Sequence, residues 1–120
     1  MSESGIIKIA LPFFLLHAGE EFLFRYDLID PTFQWIGSLV HLSSATVFLI
    51  EQLLVGALLI IAIWKPNKIL SFIIGIAFLF ELAHPINAFV AHSYAPGLLT
   101  SIPLIFLGFL FWRGLIKGLY

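Results

Sequence analysis

The residues of this chain best suited to chemistry sit where hydrocarbon should be. In the stretch FFLLHAGEEFLF, residues 13–24, His17, Glu20 and Glu21 lie among phenylalanines and leucines. A carboxylate at the centre of a bilayer costs roughly 2.5–3.5 kcal/mol on insertion scales, so two of them beside a histidine need a compensating partner. Glu51, Glu81 and His84 stand in later apolar runs. His17, Glu20 and Glu21 are spaced i, i+3 and i+4, and Glu81 and His84 i and i+3, so each set shares one helical face. Charged groups inside a membrane face the protein interior, which turns these faces toward one another. Four Glu and two His is the ligand count of di-iron and di-manganese carboxylate bundles, which use Glu-x-x-His pairs. Glu81-Leu82-Ala83-His84 has that form, and His17-Ala18-Gly19-Glu20 has it reversed. Every Lys and Arg falls at the end of an apolar run, so either protons or a divalent metal must neutralise the acids. Imidazole with carboxylate suits Fe, Mn or Zn, and the excess of carboxylate leans toward Fe or Mn.

The elements that position these residues follow from composition. Of 120 residues 61% are hydrophobic and 11% charged, against about a quarter charged in soluble domains. The mean hydropathy of +1.07 agrees, and the chain reads as an integral membrane protein. A net charge of −1 leaves no basic footprint for nucleic acid, and the absence of cysteine excludes disulfides, zinc-thiolate sites and thiol nucleophiles. The acidic start Met1-Ser2-Glu3-Ser4, with no small-x-small cleavage site after the first apolar run, predicts that this run stays as a helix.

Four apolar runs, at about 5–26, 36–64, 68–92 and 97–117, are separated by Asp30-Pro31, by Lys65-Pro66 and by SYAPG. Each is long enough to cross ~30 Å of hydrocarbon at ~1.5 Å per residue. The predicted fold is all-α: one domain, 1–120, forming an antiparallel four-helix transmembrane bundle. Lys8, Lys65, Lys68, Arg113 and Lys117 collect on one side, and Arg25 stands alone on the other. The positive-inside rule then places both termini in the cytoplasm of a cell (inner) membrane. Counting from the cytoplasmic ends puts His17 at roughly 18 Å, Glu20 and Glu21 at roughly 22–24 Å, Glu51 at roughly 20 Å, Glu81 at roughly 21 Å and His84 at roughly 25 Å. The predicted metal ligands are His17, Glu20, Glu21, Glu51, Glu81 and His84, supported by Thr100, Ser101 and Asn87 as outer hydrogen-bond partners.

The string HAGEE, residues 17–21, together with NAFVAHSYAPGLLT, residues 87–100, resembles the uncharacterised membrane-protein family named for its HXXEE motif. The resemblance runs from the first helix to the start of the fourth. It implies a small multi-pass membrane protein with a catalytic or metal site at His17, Glu20, Glu21, Asn87 and His92, of which Glu20, Glu21, Asn87 and His92 are the catalytic candidates. It supplies no reaction.

The preferred functional expectation is a membrane metalloenzyme, a hydrolase or an oxidoreductase, acting on a membrane-derived or small-molecule substrate. Two alternatives use the same residues. One is a proton or metal-ion conduit; the other is a structural membrane subunit in which the cluster is interhelical glue. Partners are the lipid bilayer and that substrate, with assembly into an oligomer left open. The bland reading gives His84, which precedes Pro85, a freed carbonyl to satisfy; it makes His41 and His92 interfacial, and it leaves Gln52 to packing.

Overall fold

The computed structural model describes all 120 residues. It is all helix and turn, with no strand, as predicted. The elements are α1 (Glu3–Leu23), α2 (Tyr26–Ile29), α3 (Pro31–Val40), α4 (Ser44–Trp64), α5 (Lys68–Phe80), α6 (Ala83–Ala91) and α7 (Leu98–Ile116). Short polar side chains start most of them by taking a free backbone N–H at the first turn. Ser2 accepts from Gly5, Ser43 from Thr46 and Asn67 from Leu70. Asp30 accepts from Thr32, with Pro31 at the first helical position, where its missing donor costs nothing.

Three helices are long and apolar enough to cross a membrane: Ser44–Trp64, Lys68–Ala91 (α5 and α6 as one interrupted rod) and Leu98–Ile116. The first helix, α1, matches them in length but carries Glu3, Lys8, Glu20 and Glu21.

Two predicted runs are cut differently from the sequence expectation. The run expected over 36–64 is two helices, because α3 ends on His41 in the left-handed region (φ 56°) and the Ser43 side chain nucleates α4. The first run stops at Leu23; Arg25 turns the chain with φ 55°, and α2 follows. Asp27 fixes that corner. It is 3% exposed, takes a bidentate pair from Arg25 at 2.9 and 3.0 Å, and accepts from Ser44 Oγ at 2.8 Å, tying α2 to the start of α4.

The break between α5 and α6 has a covalent cause. Pro85 has no N–H for the carbonyl of Glu81, and its ring would collide with that carbonyl in a straight helix. The Glu81 oxygen is met instead by His84 N–H at 3.3 Å, and Leu82 N–H turns back to Leu79 O at 3.1 Å. These three-residue bonds bend the rod at the residues that carry the acid and the imidazole.

α1 packs against α4 and α7, and α5 against the same two. Between them lies an apolar cluster of 12 buried residues, among them Ile6, Ile7 and Phe14 from α1, Leu59 from α4, Ile74 and Phe78 from α5, and Leu104 and Phe111 from α7. α5 and α7 approach closely where Gly108 faces Phe78: a Cβ added there would stand 2.8 Å from the Phe78 Cβ. Nearby, Trp112 Nε1 donates to Gly75 O at 2.7 Å. In lipid, where apolar side chains gain little by leaving the solvent, such close backbone approach is what holds helices together.

Candidate metal centre

Beyond Phe14 and Phe78 the interior changes from apolar to polar. On α1, the i and i+4 spacing puts His17 and Glu21 on the inward face, each 3% exposed. The bend before Pro85 aims Glu81 and His84 at them. His17 Nε2 lies 3.5 Å from Glu21 Oε2 and 3.2 Å from Glu81 Oε2, and His84 Nε2 lies 3.2 Å from Glu21 Oε1. The two rings meet edge to face, with centroids 4.7 Å apart. Ligand atoms of His17, Glu81 and His84 all fall within 4.8 Å of one another.

The loop before α7 closes one side of the cluster. Ala95, Pro96 and Gly97 are all buried, and Gly97 adopts φ +84°. A Cβ added to Gly97 would stand 2.6 Å from His17 Cε1 and 2.8 Å from His84 Cε1. Both the positive φ and the contact therefore require glycine. Tyr26, 7% exposed, covers the His84 ring at 5.1 Å and leads outward to Phe33 and Phe48.

The two adjacent glutamates of α1 point in different directions, as successive helical residues must. Glu21 enters the cluster. Glu20 faces the start of α7, accepting from Thr100 N–H at 3.2 Å and from Thr100 Oγ1 at 2.5 Å, and it also bonds the Tyr94 hydroxyl. His17 Nδ1 lies 2.9 Å from the same Thr100 Oγ1.

The remaining expected ligand, Glu51, is exposed on α4 and reaches the centre only through its neighbour: Gln52 Nε2 lies 2.8 Å from Glu51 Oε2 and 3.3 Å from Glu21 Oε2. Of the expected outer partners, Thr100 touches the cluster, whereas Ser101 bonds back to Leu98 O of its own helix at 2.8 Å. Asn87 and His92 are exposed and away from the cluster. The Asn87 side chain makes no hydrogen bond, and His92 is the left-handed C-cap of α6 (φ 49°), its ring beside Phe89. The reason is the same Pro85 bend: it brings one face of the rod, that of Glu81 and His84, inward and leaves Asn87 outside.

Sequence reasoning missed Gly97, Gln52, Tyr26 and Tyr94. The signal for Gly97 was available in the Pro96-Gly97 pair, a turn dipeptide placed directly ahead of a helix. Gln52 follows a buried-layer acid and could have been read as its extension.

Chemically, the centre is rich in acceptors, with two carboxylates against one N–H from each neutral imidazole and the Gln52 amide. None of the three imidazole–carboxylate approaches has hydrogen-bond geometry. The buried side-chain polar atoms lacking any partner in the whole chain are Gln52 Oε1, Glu81 Oε2 and His84 Nδ1; the last two belong to this centre, and the first is on a side chain that bonds Glu21. Native proteins leave few such atoms, and each calls for an explanation, an ion among them. Oxygen and nitrogen ligands at roughly 2.1 Å from a metal stand roughly 3.0–3.4 Å from each other in octahedral or tetrahedral shells. The three approaches of 3.2–3.5 Å are close to that spacing, while the His17, Glu81 and His84 ligand atoms together spread over as much as 4.8 Å.

No curated protein and no solved structure matches the chain. The family model described as "protein of unknown function with HXXEE motif" matches residues 8–112, and its motif is His17-Ala18-Gly19-Glu20-Glu21 itself: the chain belongs to the HXXEE family.

Proposed function

We propose that the protein is an integral membrane metalloenzyme whose divalent ion is held by His17, Glu21, Glu81 and His84. The observation that carries this reading is that two of the three buried unpartnered side-chain atoms, Glu81 Oε2 and His84 Nδ1, belong to the His/Glu cluster, and the third, Gln52 Oε1, is on a side chain that bonds Glu21. An apolar or self-contained network would leave none, since a half-satisfied polar group in a dry interior is costly. The same point weighs against interhelical glue. A conduit draws less support, because the 12-residue apolar cluster separates the centre from Glu3 and Ser71, the buried polar pair at the other end.

In the membrane, α1 joins the three apolar rods as a fourth span. Lys8, Lys65, Lys68, Arg113 and Lys117 then mark the cytoplasmic side. The ion at this centre supplies Lewis acidity for hydrolysis or redox chemistry. The chain's own groups do the rest. Gln52 Oε1 is free to accept from a substrate N–H or O–H. The Glu51 carboxylate, exposed beside Gln52, can take up a proton from the reacting group. Gly97 and Tyr26 exclude water from two sides. Glu51 is exposed on an apolar helix, so in this reading the substrate is a small or membrane-dissolved molecule that approaches from the bilayer.

Metal content of detergent-purified protein, prepared without chelators, tests this. Near-stoichiometric Fe, Mn or Zn is expected in the wild type, with loss in His84→Ala. Less than a tenth of an equivalent in a well-folded wild type overturns the proposal.

A further inference from the structure

The HXXEE motif carries two consecutive carboxylates, and the geometry points to different work for each. Glu21 belongs to the centre. We propose that Glu20 acts on it from outside, as the anchor of a Glu20–Thr100–His17 chain that fixes the His17 tautomer with hydrogen on Nδ1 and turns the Nε2 lone pair inward. Its role at an ion rests on the proposed metal site; its role in orienting the ring does not.

The direction of each hydrogen follows from counting. Thr100 Oγ1 has one hydrogen and lies 2.5 Å from Glu20 Oε2, 2.9 Å from His17 Nδ1 and 3.4 Å from Gly97 O. The shortest of these contacts has the hydroxyl donating to the Glu20 carboxylate oxygen, so the hydroxyl hydrogen goes to Glu20. The threonine oxygen is then left to accept, and the donor within reach is the Nδ1–H of His17. In a neutral imidazole the other nitrogen is then a bare lone pair, and here that is Nε2, facing Glu21 and Glu81 at 3.5 and 3.2 Å. A histidine that ligates metal donates its other N–H to such a partner in nearly every case, which sets both tautomer and ring orientation.

What holds Glu20 in place is the start of α7. The N-cap of that helix is Gly97, which has no side chain to offer. Glu20, reaching across from α1, accepts the N–H of Thr100, the third residue of the helix. That is the bond a capping Ser or Asp would make, and the positive end of the helix dipole favours a carboxylate there. The glycine demanded by the two imidazole rings thus leaves a vacancy in the cap, and the carboxylate that fills it also orients one of those rings.

The test pairs Thr100→Val, which keeps the shape and removes the hydroxyl, with Thr100→Ser, which restores it; Glu20 and the α7 backbone N–H are untouched in both. Nitrogen-15 NMR of the metal-free, detergent-solubilised protein reads the tautomer directly. Wild type and Thr100→Ser are expected to show His17 protonated on Nδ1, and Thr100→Val to lose that preference. Titration with Zn²⁺ or Mn²⁺ is expected to show affinity lowered about 10–100-fold in Thr100→Val and restored in Thr100→Ser. A wild-type His17 protonated on Nε2 overturns the inference, as does Thr100→Val binding metal as tightly as wild type. If the folded wild type takes up neither ion, the metal reading fails while the NMR result still decides the orienting chain.

Discussion

Phe111 and His17 are almost equally hidden, at 0% and 3% exposure, yet the two ends of the molecule hide them for different reasons. Around Phe111 the rings of Phe78 and Tyr120 lie within 5.5 Å, close helix contact at Gly108 and Gly75 fills the space, and the one buried polar pair at this end, Glu3 and Ser71, is bonded to itself. Around His17 the neighbours are carboxylates, an imidazole and a hydroxyl, and two polar atoms of that cluster, Glu81 Oε2 and His84 Nδ1, have no hydrogen-bond partner. The first end is finished by its own side chains. The second leaves buried polar atoms that its own side chains do not pair. A chain that merely needed to hold rods together could have built both ends like the first.

The sharpest way to break this contrast is Gly97→Ala. The new methyl would fall inside van der Waals reach of both imidazoles at a backbone angle of +84°, and the left-handed conformation alone costs roughly 1–2 kcal/mol. We expect metal affinity to fall by more than about 100-fold, beyond the usual range for an outer partner, together with a lower melting temperature. Equal affinity in the variant would mean that the loop does not shape the centre.

Phe111→Ala is expected to do the converse: lower the melting temperature while leaving metal content unchanged. Phe→Ala costs about 3–5 kcal/mol in water-soluble cores. In lipid the loss should fall below that range, because only packing, and not removal from water, is forfeited. Loss of metal with retained stability would dissolve the distinction between the two ends.

The smallest effect should come from the corner at Asp27. The Arg25 hydrogen bonds hold its carboxyl below the ordinary value of 3.8, so the ionised form is the one that stabilises. Its contribution is present above that ordinary value and is lost as pH falls through the depressed one. Asp27→Asn should therefore melt below wild type at neutral pH, with the gap closing as pH falls below 3.8 through the depressed value. Because Arg25 is largely in solvent, the gap should be narrow.

Much of this could be read from the residues in order. Helical spacing put His17 and Glu21 on one face and Glu81 and His84 on another, and the cost of acids in hydrocarbon turned the faces together. What spacing could not decide was which adjacent glutamate enters. Glu20 and Glu21 are about 100° apart on a helix, and only the location of Thr100, on a rod far along the chain, separates their roles. Depth counting likewise placed Glu51 level with the others, but depth carries no angle, and α4 turns Glu51 outward with Gln52 as its intermediary. The bend at Pro85 was visible as a residue type; its effect on Asn87 and His92 was not, because a kink redirects everything beyond it. The family's second block is present in the sequence, yet it is Gly97 and Thr100 at its end, and not Asn87 or His92, that touch the cluster.

The bond from Glu20 to Thr100 spans 80 positions, and that separation has a consequence for how the protein is made. During synthesis the acids of the first rod are already committed before the residue that anchors them has left the ribosome. Until α7 arrives, His17 lacks the Thr100 hydroxyl at its Nδ1, so the cluster is incomplete in a nascent chain. Completion of the cluster thereby waits on the docking of the final rod.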